Sequence, residues 1–255
     1  MISHLEGYGV ARSRPISTPL CLGGILLMAV ATVARAEKQP TSKASSQKDS
    51  PSALRKSAPT TSPKPSPGME VVDLATLDPS INIDIKWAGT DNMLGRRVYA
   101  ENRCFLRRDA AERLVRVQQR LKSDGLGIKV WEGYRPLWMQ QLLWDEIKDG
   151  DLISDPNNGK RTHTRGIAVD VTLIDLATGR ELPMPTGYCE FSKREQMKQG
   201  YEHLAAPILR NRERLKTAMQ AEGFVPYSGE WWHFNLPNYT DYRIIKQDAW
   251  VQRVP

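Results

Sequence analysis

From residue 69 onward the sequence predicts an α+β fold, a small antiparallel sheet with helices packed against it. Three observations point there. Short runs of alternating or branched apolar residues read as strands. Longer runs with apolar residues three and four apart read as helices. The two kinds are interspersed without the regular strand–helix–strand alternation that marks a parallel sheet. No long linker, internal repeat or charge block interrupts 69–255, so it is taken as one domain.

INIDIKWA (81–88) alternates isoleucine with polar residues and predicts a strand. RRDAAERLVRVQQRLKSDG (107–125) places Ala111, Leu114, Val117 and Leu121 on one helical face, with Gly125 as its stop. IKVWEGYRP (128–136) predicts a short strand running into a turn, because Pro136 moves Arg135 out of helical geometry. PLWMQQLLWDEIKDG (136–150) opens on proline and closes on glycine, a second helix. GIAVDVTLID (166–175) predicts a strand. EHLAAPILRNRERLKTAMQAEG (202–223) predicts a helix broken at Pro207, and WWHFNL (231–236) a last strand.

The first 68 residues have a different character. Arg12 and Arg14 precede an apolar run of about 16 residues, PLCLGGILLMAVATVA (19–34), followed by Ala34-Arg35-Ala36. A positive flank, an apolar stretch and a small-x-small site predict a secretory signal peptide over 1–36. The run is shorter than the ~20 residues a membrane anchor needs, so no transmembrane segment is expected after cleavage. Cys21 stands at the start of the run, not its end, which excludes a lipoprotein site. Residues 37–68 are rich in Ser, Pro, Lys and Thr and predict a disordered linker. The expected location is outside the cytoplasm, periplasmic or secreted.

Net charge is +7 (36 Lys+Arg against 29 Asp+Glu). Residues 1–68 hold nine of the basic residues and three of the acids, a net of +6, which leaves 69–255 near +1. The basic balance belongs to the leader and linker, where it suits a weak contact with an anionic envelope polymer. It marks no nucleic-acid face. Past the leader there are two cysteines, Cys104 and Cys189. They can pair in an oxidising compartment, and two unlinked thiols fit equally well.

RTHTRGIAVDVTL (161–173) carries the chemistry. On a strand, Ala168, Asp170 and Thr172 share one face, while Ile167, Val169, Val171 and Leu173 share the other. A mid-strand carboxylate needs a partner or a metal. His163 lies an odd number of residues from Asp170, so Thr164-Arg165-Gly166 must turn the chain, and Gly166 permits that turn. Catalytic zinc takes three protein ligands and leaves one position open for water. His163 and Asp170 offer two of them. For the third the sequence has His203, in a polar stretch that reads as solvated helix, and His233 in GEWWHFN. His233 has Glu230 just before it, a carboxylate placed to take a proton from water. Arg135, after EGY, reads either as a surface arginine paired with Glu132 or as a cation aimed at a developing oxyanion.

These segments resemble a known family. THTRGIAVDVTL resembles the S-x-H-x-x-G-x-A-x-D motif of the D-alanyl-D-alanine dipeptidases, and GEWWHF their E-x-W-H motif. WEGYRP is similar to their W-D-G-Y-R-P turn, and DNMLGRRVY (91–99) to their D-N-F-x-G-x-x-V-Y segment. The likeness runs over about 69–245, in order and in register. It implies a zinc metallopeptidase of the Hedgehog-like α+β fold with one Zn2+ per chain. It also implies His163, Asp170 and His233 as ligands, Glu230 as general base and Arg135 as transition-state stabiliser, with D-Ala-D-Ala split into two D-alanines.

Two positions depart from that pattern. Arg161 stands where the family has serine. PTGYCEF (185–191) stands where it has G-T-x-F-D-x-F, so Cys189 replaces the aspartate expected to hold the substrate ammonium. A neutral thiol cannot pair with an ammonium as a carboxylate does. Glu190 is next in sequence, but neighbours in an extended segment face opposite ways. Arg161, Tyr188, Cys189 and Glu190 are the substrate-binding candidates. The expected function is a zinc D,D-dipeptidase on D-Ala-D-Ala or a related cell-wall dipeptide. The alternatives are a D,D- or L,D-carboxypeptidase trimming peptidoglycan stems and a non-catalytic wall-binding module. A wall-binding module would show a broken site, whereas all three ligands and the glutamate are present.

Overall fold

The computed structural model describes residues 68–246 and 250–254; the signal-peptide and linker readings for residues 1–67 lie outside the described residues. The elements run β1 (Val71–Asp73), α1 (Leu74–Leu77), β2 (Asn82–Ile83), β3 (Phe105–Arg107), α2 (Arg108–Lys122), β4 (Leu126–Glu132), α3 (Leu137–Ile147), β5 (Ala168–Asp175), α4 (Arg194–Met197), α5 (Ala206–Ala221), β6 (Val225–Pro226) and β7 (His233–Asn235). The α+β class read from the sequence is the class observed.

Five strands form one sheet in the order β2-β4-β5-β7-β6, and β1 pairs with β3 in a separate ribbon. All pairings are antiparallel except β2 with β4, which is parallel. The sheet is therefore antiparallel through its centre and mixed at one edge.

β5 is the middle strand, and seven of its eight residues are buried. Its branched residues Val169, Val171 and Leu173 join the core with Ile128 and Val130 of β4 and Leu114 and Val117 of α2. The helix face read from the sequence is the buried one, since Ala111, Leu114, Val117 and Leu121 are all at most 4% exposed. The other face of β5 is buried too, so Asp170 and Thr172 are enclosed and not merely turned from the core.

Several elements differ from their sequence reading. In 81–88 only Asn82–Ile83 is strand, and Lys86–Ala88 is a 3-10 turn. Lys86 is drawn inward by Asp84 and Asp91, at 3.1 and 2.7 Å. The second helix ends at Ile147, with Lys148 rather than Gly150 in the left-handed conformation. Pro207 breaks nothing: α5 begins at Ala206 with the proline in its first turn, where the missing N–H costs no hydrogen bond. His203 therefore precedes the helix, exposed and set edge-on to Tyr201. Among the described residues, no helix is long and apolar enough to cross a membrane.

Candidate metal centre

Two strands and one turn bring the three predicted ligands together. Asp170 on β5 is paired directly with His233 on β7. His163 arrives from a tight turn in which its carbonyl accepts from the Gly166 amide at 2.9 Å. Gly166 has φ +71, and a Cβ there would lie 2.9 Å from Ile245 Cδ1. Both facts explain why the turn demands glycine.

The donor atoms converge. Asp170 Oδ1 is 3.0 Å from His233 Nδ1 and 3.4 Å from His163 Nε2, and the two ring nitrogens are 3.1 Å apart. His163 Nδ1 donates to the Gly133 carbonyl at 2.8 Å, which leaves Nε2 as a bare lone pair in the neutral ring. Thr162 Oγ1 lies 3.5 Å from His233 Nε2, on the far side of that ring. Two imidazole nitrogens and a carboxylate oxygen thus face one point, all within 4.8 Å of one another. A tetrahedral zinc with bonds of about 2.0–2.1 Å spaces its ligands by roughly 3.3 Å, so the residues present fit that ion. All three are buried, at 6%, 3% and 9% exposure for His163, Asp170 and His233.

Burial raises the Asp170 carboxyl, but His163 and His233 outweigh it and hold the group well below the ordinary carboxylate range. Burial likewise opposes a charged His163, and Asp170 followed by Glu132 more than offsets it. Glu230 is different: burial pushes it up to about 7 against the pull of His233. Its Oε2 sits 3.9 Å from His233 Nδ1, and it lines the same cavity as the three donors.

Arg135 pairs with Glu132, as one reading of its sequence had it, but inside the protein and not at the surface. It is buried and bound by Glu132 through two bonds, Nε to Oε1 at 2.7 Å and Nη2 to Oε2 at 2.5 Å, and it lines the cavity. Its Nη1 donates to Gln140 Oε1 at 3.1 Å. Glu132 is 0% exposed. Of the five guanidinium N–H groups these bonds use three, which fixes the plane and leaves the rest for a ligand. Sequence reasoning did not foresee that Glu132 would share a face with Asp170. Register along β4 slips between Val130 and Glu132, so that Val130 pairs Val171 and Glu132 pairs Asp170. This bulge at Trp131 re-aims Glu132 toward the site.

The cavity has a volume of about 310 Å³, and Arg161, Tyr188 and Cys189 are among its lining residues. Glu190 is not among them: its Oε2 accepts from the Gly187 amide and its Oε1 pairs with Lys193 at 2.7 Å. Cys189 takes a left-handed backbone (φ +50), and burial together with Glu230 pushes its thiol well up, which keeps it neutral. Cys104 and Cys189 are both free thiols. Arg161 is tied to backbone carbonyls, Nε to Gly159 O at 3.1 Å and Nη1 to Pro156 O, partners that leave its charge uncompensated. Four aromatic rings back the cavity, with Trp131 5.5 Å from both Tyr188 and Trp231, and Trp231 5.4 Å from Trp232. The Trp231 indole donates to Thr186 Oγ1 at 3.0 Å, which ties β7's approach to the segment before Tyr188.

The chain is similar to known proteins over most of its described length. The D-alanyl-D-alanine dipeptidase of Escherichia coli (strain K12) is 36% identical over 177 residues, covering 69% of this chain and 89% of that protein. The D-alanyl-D-alanine dipeptidase of Enterococcus faecium is 32% identical over 172 residues, covering 60% of this chain and 84% of that one. That of Streptomyces coelicolor is 32% identical over 182 residues, covering 61% and 86%. The family description "Peptidase_M15: D-ala-D-ala dipeptidase" matches residues 68–249, and the chain accordingly belongs to the D-Ala-D-Ala dipeptidase family.

Proposed function

We propose that this chain is a zinc metallopeptidase that hydrolyses D-Ala-D-Ala, with His163, Asp170 and His233 as the metal ligands. The observation that carries the reading is the convergence of two imidazole nitrogens and one carboxylate oxygen beside an acid whose affinity for protons is raised. Zinc held there supplies a Lewis acid that polarises the scissile carbonyl and acidifies water. Glu230 takes a proton from the attacking water and delivers it to the departing amine as the C–N bond breaks. Arg135, locked by Glu132 and Gln140, presents its remaining N–H groups to the negative charge that develops on the carbonyl oxygen. Because the guanidinium is already oriented, little reorganisation accompanies the reaction. The uncompensated charge of Arg161 suits the substrate's carboxylate.

A second reading, a carboxypeptidase acting on peptidoglycan stems, is favoured by one observation. Cys189 is a neutral thiol where the resemblance expects an acid for the free ammonium. The zinc-loaded protein is incubated with D-Ala-D-Ala and with a stem pentapeptide. Release of two D-alanines from the dipeptide supports the first reading; cleavage confined to the pentapeptide selects the second. We further infer that the protein acts outside the cytoplasm. The leader over 1–36 and the Ser/Pro/Lys-rich tether over 37–68 support this, as does a substrate class found in the cell wall.

A further inference from the structure

The two oxygens of Asp170 have different company. Oδ1 faces His163 and His233. Oδ2 lies 3.3 Å from the Tyr188 hydroxyl. The same hydroxyl is 3.0 Å from Glu132 Oε2, the oxygen that also accepts from Arg135 Nη2. Glu132 and Asp170 are directly paired across β4 and β5, so two buried carboxylates share one face of the sheet. Like charges so placed repel, and the hydroxyl, with its single proton, lies within hydrogen-bond reach of both, nearer to Glu132 Oε2 than to Asp170 Oδ2.

The ring that carries this hydroxyl has little freedom. It packs against Trp87, Trp131 and Trp232, with centroids 6.3, 5.5 and 5.8 Å away. A donor held this firmly fixes the orientation of whatever accepts from it.

We propose that the Tyr188 hydroxyl is a positioning group that keeps Asp170 a one-oxygen metal ligand and couples it to the Glu132–Arg135 pair. The inference rests on the metallopeptidase reading above. A carboxylate beside a divalent ion binds through one oxygen or both, and binding through both occupies the space a catalytic site keeps open for water. The hydroxyl set against Oδ2, its one proton shared between Oδ2 and Glu132 Oε2, disfavours that. The phenol is thereby assigned to the carboxylates, while the edge of its ring forms cavity wall.

The test compares the full chain with Tyr188→Phe, which deletes one oxygen atom, and with Tyr188→Met, which removes both the donor and the ring. Each is stripped of metal and checked for folding by near-ultraviolet circular dichroism. Zinc affinity is measured by competition with a chromophoric chelator, and coordination by the visible spectrum of the cobalt(II) form. Both variants should bind zinc on the order of 10-fold more weakly. Their cobalt absorption should weaken as a further oxygen enters the coordination sphere. Turnover should fall in kcat with KM little changed. A folded Y188F with wild-type zinc affinity and an unaltered cobalt spectrum overturns the proposal while leaving the zinc enzyme intact. A wild-type chain that binds no zinc overturns the metallopeptidase reading itself, and this inference with it.

Discussion

Glu132 and Asp170 face each other across neighbouring strands although a bulge at Trp131 lies just before their pairing. The slip converts what would be a core-directed position into one abreast of a metal-ligand candidate. Arg135 follows three residues later and is clamped by Glu132, so one irregularity in β4 places a cation beside the centre built on β5 and β7.

Glu230 is expected to act as the base without serving as a ligand. Glu230→Gln should retain stoichiometric zinc and lose about 10²–10⁴-fold in kcat. Zinc lost together with activity would make Glu230 a ligand instead. The active form of Glu230 is the carboxylate, so kcat/KM should rise with pH through an acidic limb. Burial sets the group near 7 in the absence of a cation, and a bound cation draws it lower, so the midpoint is expected at or below about 7. A flat profile through the mildly acidic range counts against this assignment.

Arg135 carries two roles that mutation separates. Arg135→Ala should lower kcat about 10²–10³-fold. It should also cost roughly 3–5 kcal/mol of stability, because it strands the fully buried Glu132 carboxylate. Adding Glu132→Gln to the same protein should recover much of the stability and none of the turnover. Thermal melts alongside initial rates check both halves.

Chelation of the metal should abolish hydrolysis and lower the melting temperature, and zinc should restore both. Zinc at a thousand times its dissociation constant stabilises by about 4 kcal/mol. A melting curve indifferent to chelator and to zinc would show that the three donors hold no ion.

Gly133 is expected to tolerate no side chain. A Cβ there would stand 2.6 Å from Cys104 Sγ and 3.0 Å from the Phe105 carbonyl. Gly133→Ala should therefore destabilise the fold by about 1–3 kcal/mol. It should also weaken zinc binding, since the Gly133 carbonyl orients His163. Unchanged zinc affinity in that variant would mean the carbonyl is replaceable.

Cys189→Asp should improve the fit to a free dipeptide. A hydrogen bond to a charged group contributes about 1.5–3 kcal/mol, so KM for D-Ala-D-Ala should drop roughly tenfold or more while an N-acetylated analogue gains nothing. Equal effects on the two substrates would place the ammonium elsewhere.

The meeting of His163, Asp170 and His233 was partly legible because some of its signals are local. Strand alternation put Asp170 on the face away from Val169 and Val171, and an odd spacing closed by Gly166 required His163 to turn back. What stayed hidden depends on contacts distant in sequence. The bulge at Trp131 has no proline or glycine to announce it, so Glu132 could be read only as a nearby partner for Arg135. Ile85, in a stretch that alternates like a strand, leads into a 3-10 turn because Asp84 and Asp91 pull Lys86 inward. Pro207 was ambiguous because proline both opens helices and breaks them. Only the apolar pattern before it, too weak here, separates the two cases. The Tyr188 hydroxyl had one signal, a tyrosine where the resembling motif carries phenylalanine, and without neighbours nothing said what it would meet.

Glu132, Asp170 and His233 stand abreast on the three inner strands, whereas Arg161 and Cys189 come from connecting segments. The same connecting segments also carry His163, two residues from Arg161, and Tyr188, next to Cys189. Grafting a whole loop at either connection should therefore disturb the reactive centre, whereas single replacements at Arg161 or Cys189 should change which peptide is accepted and leave the sheet-borne groups in place.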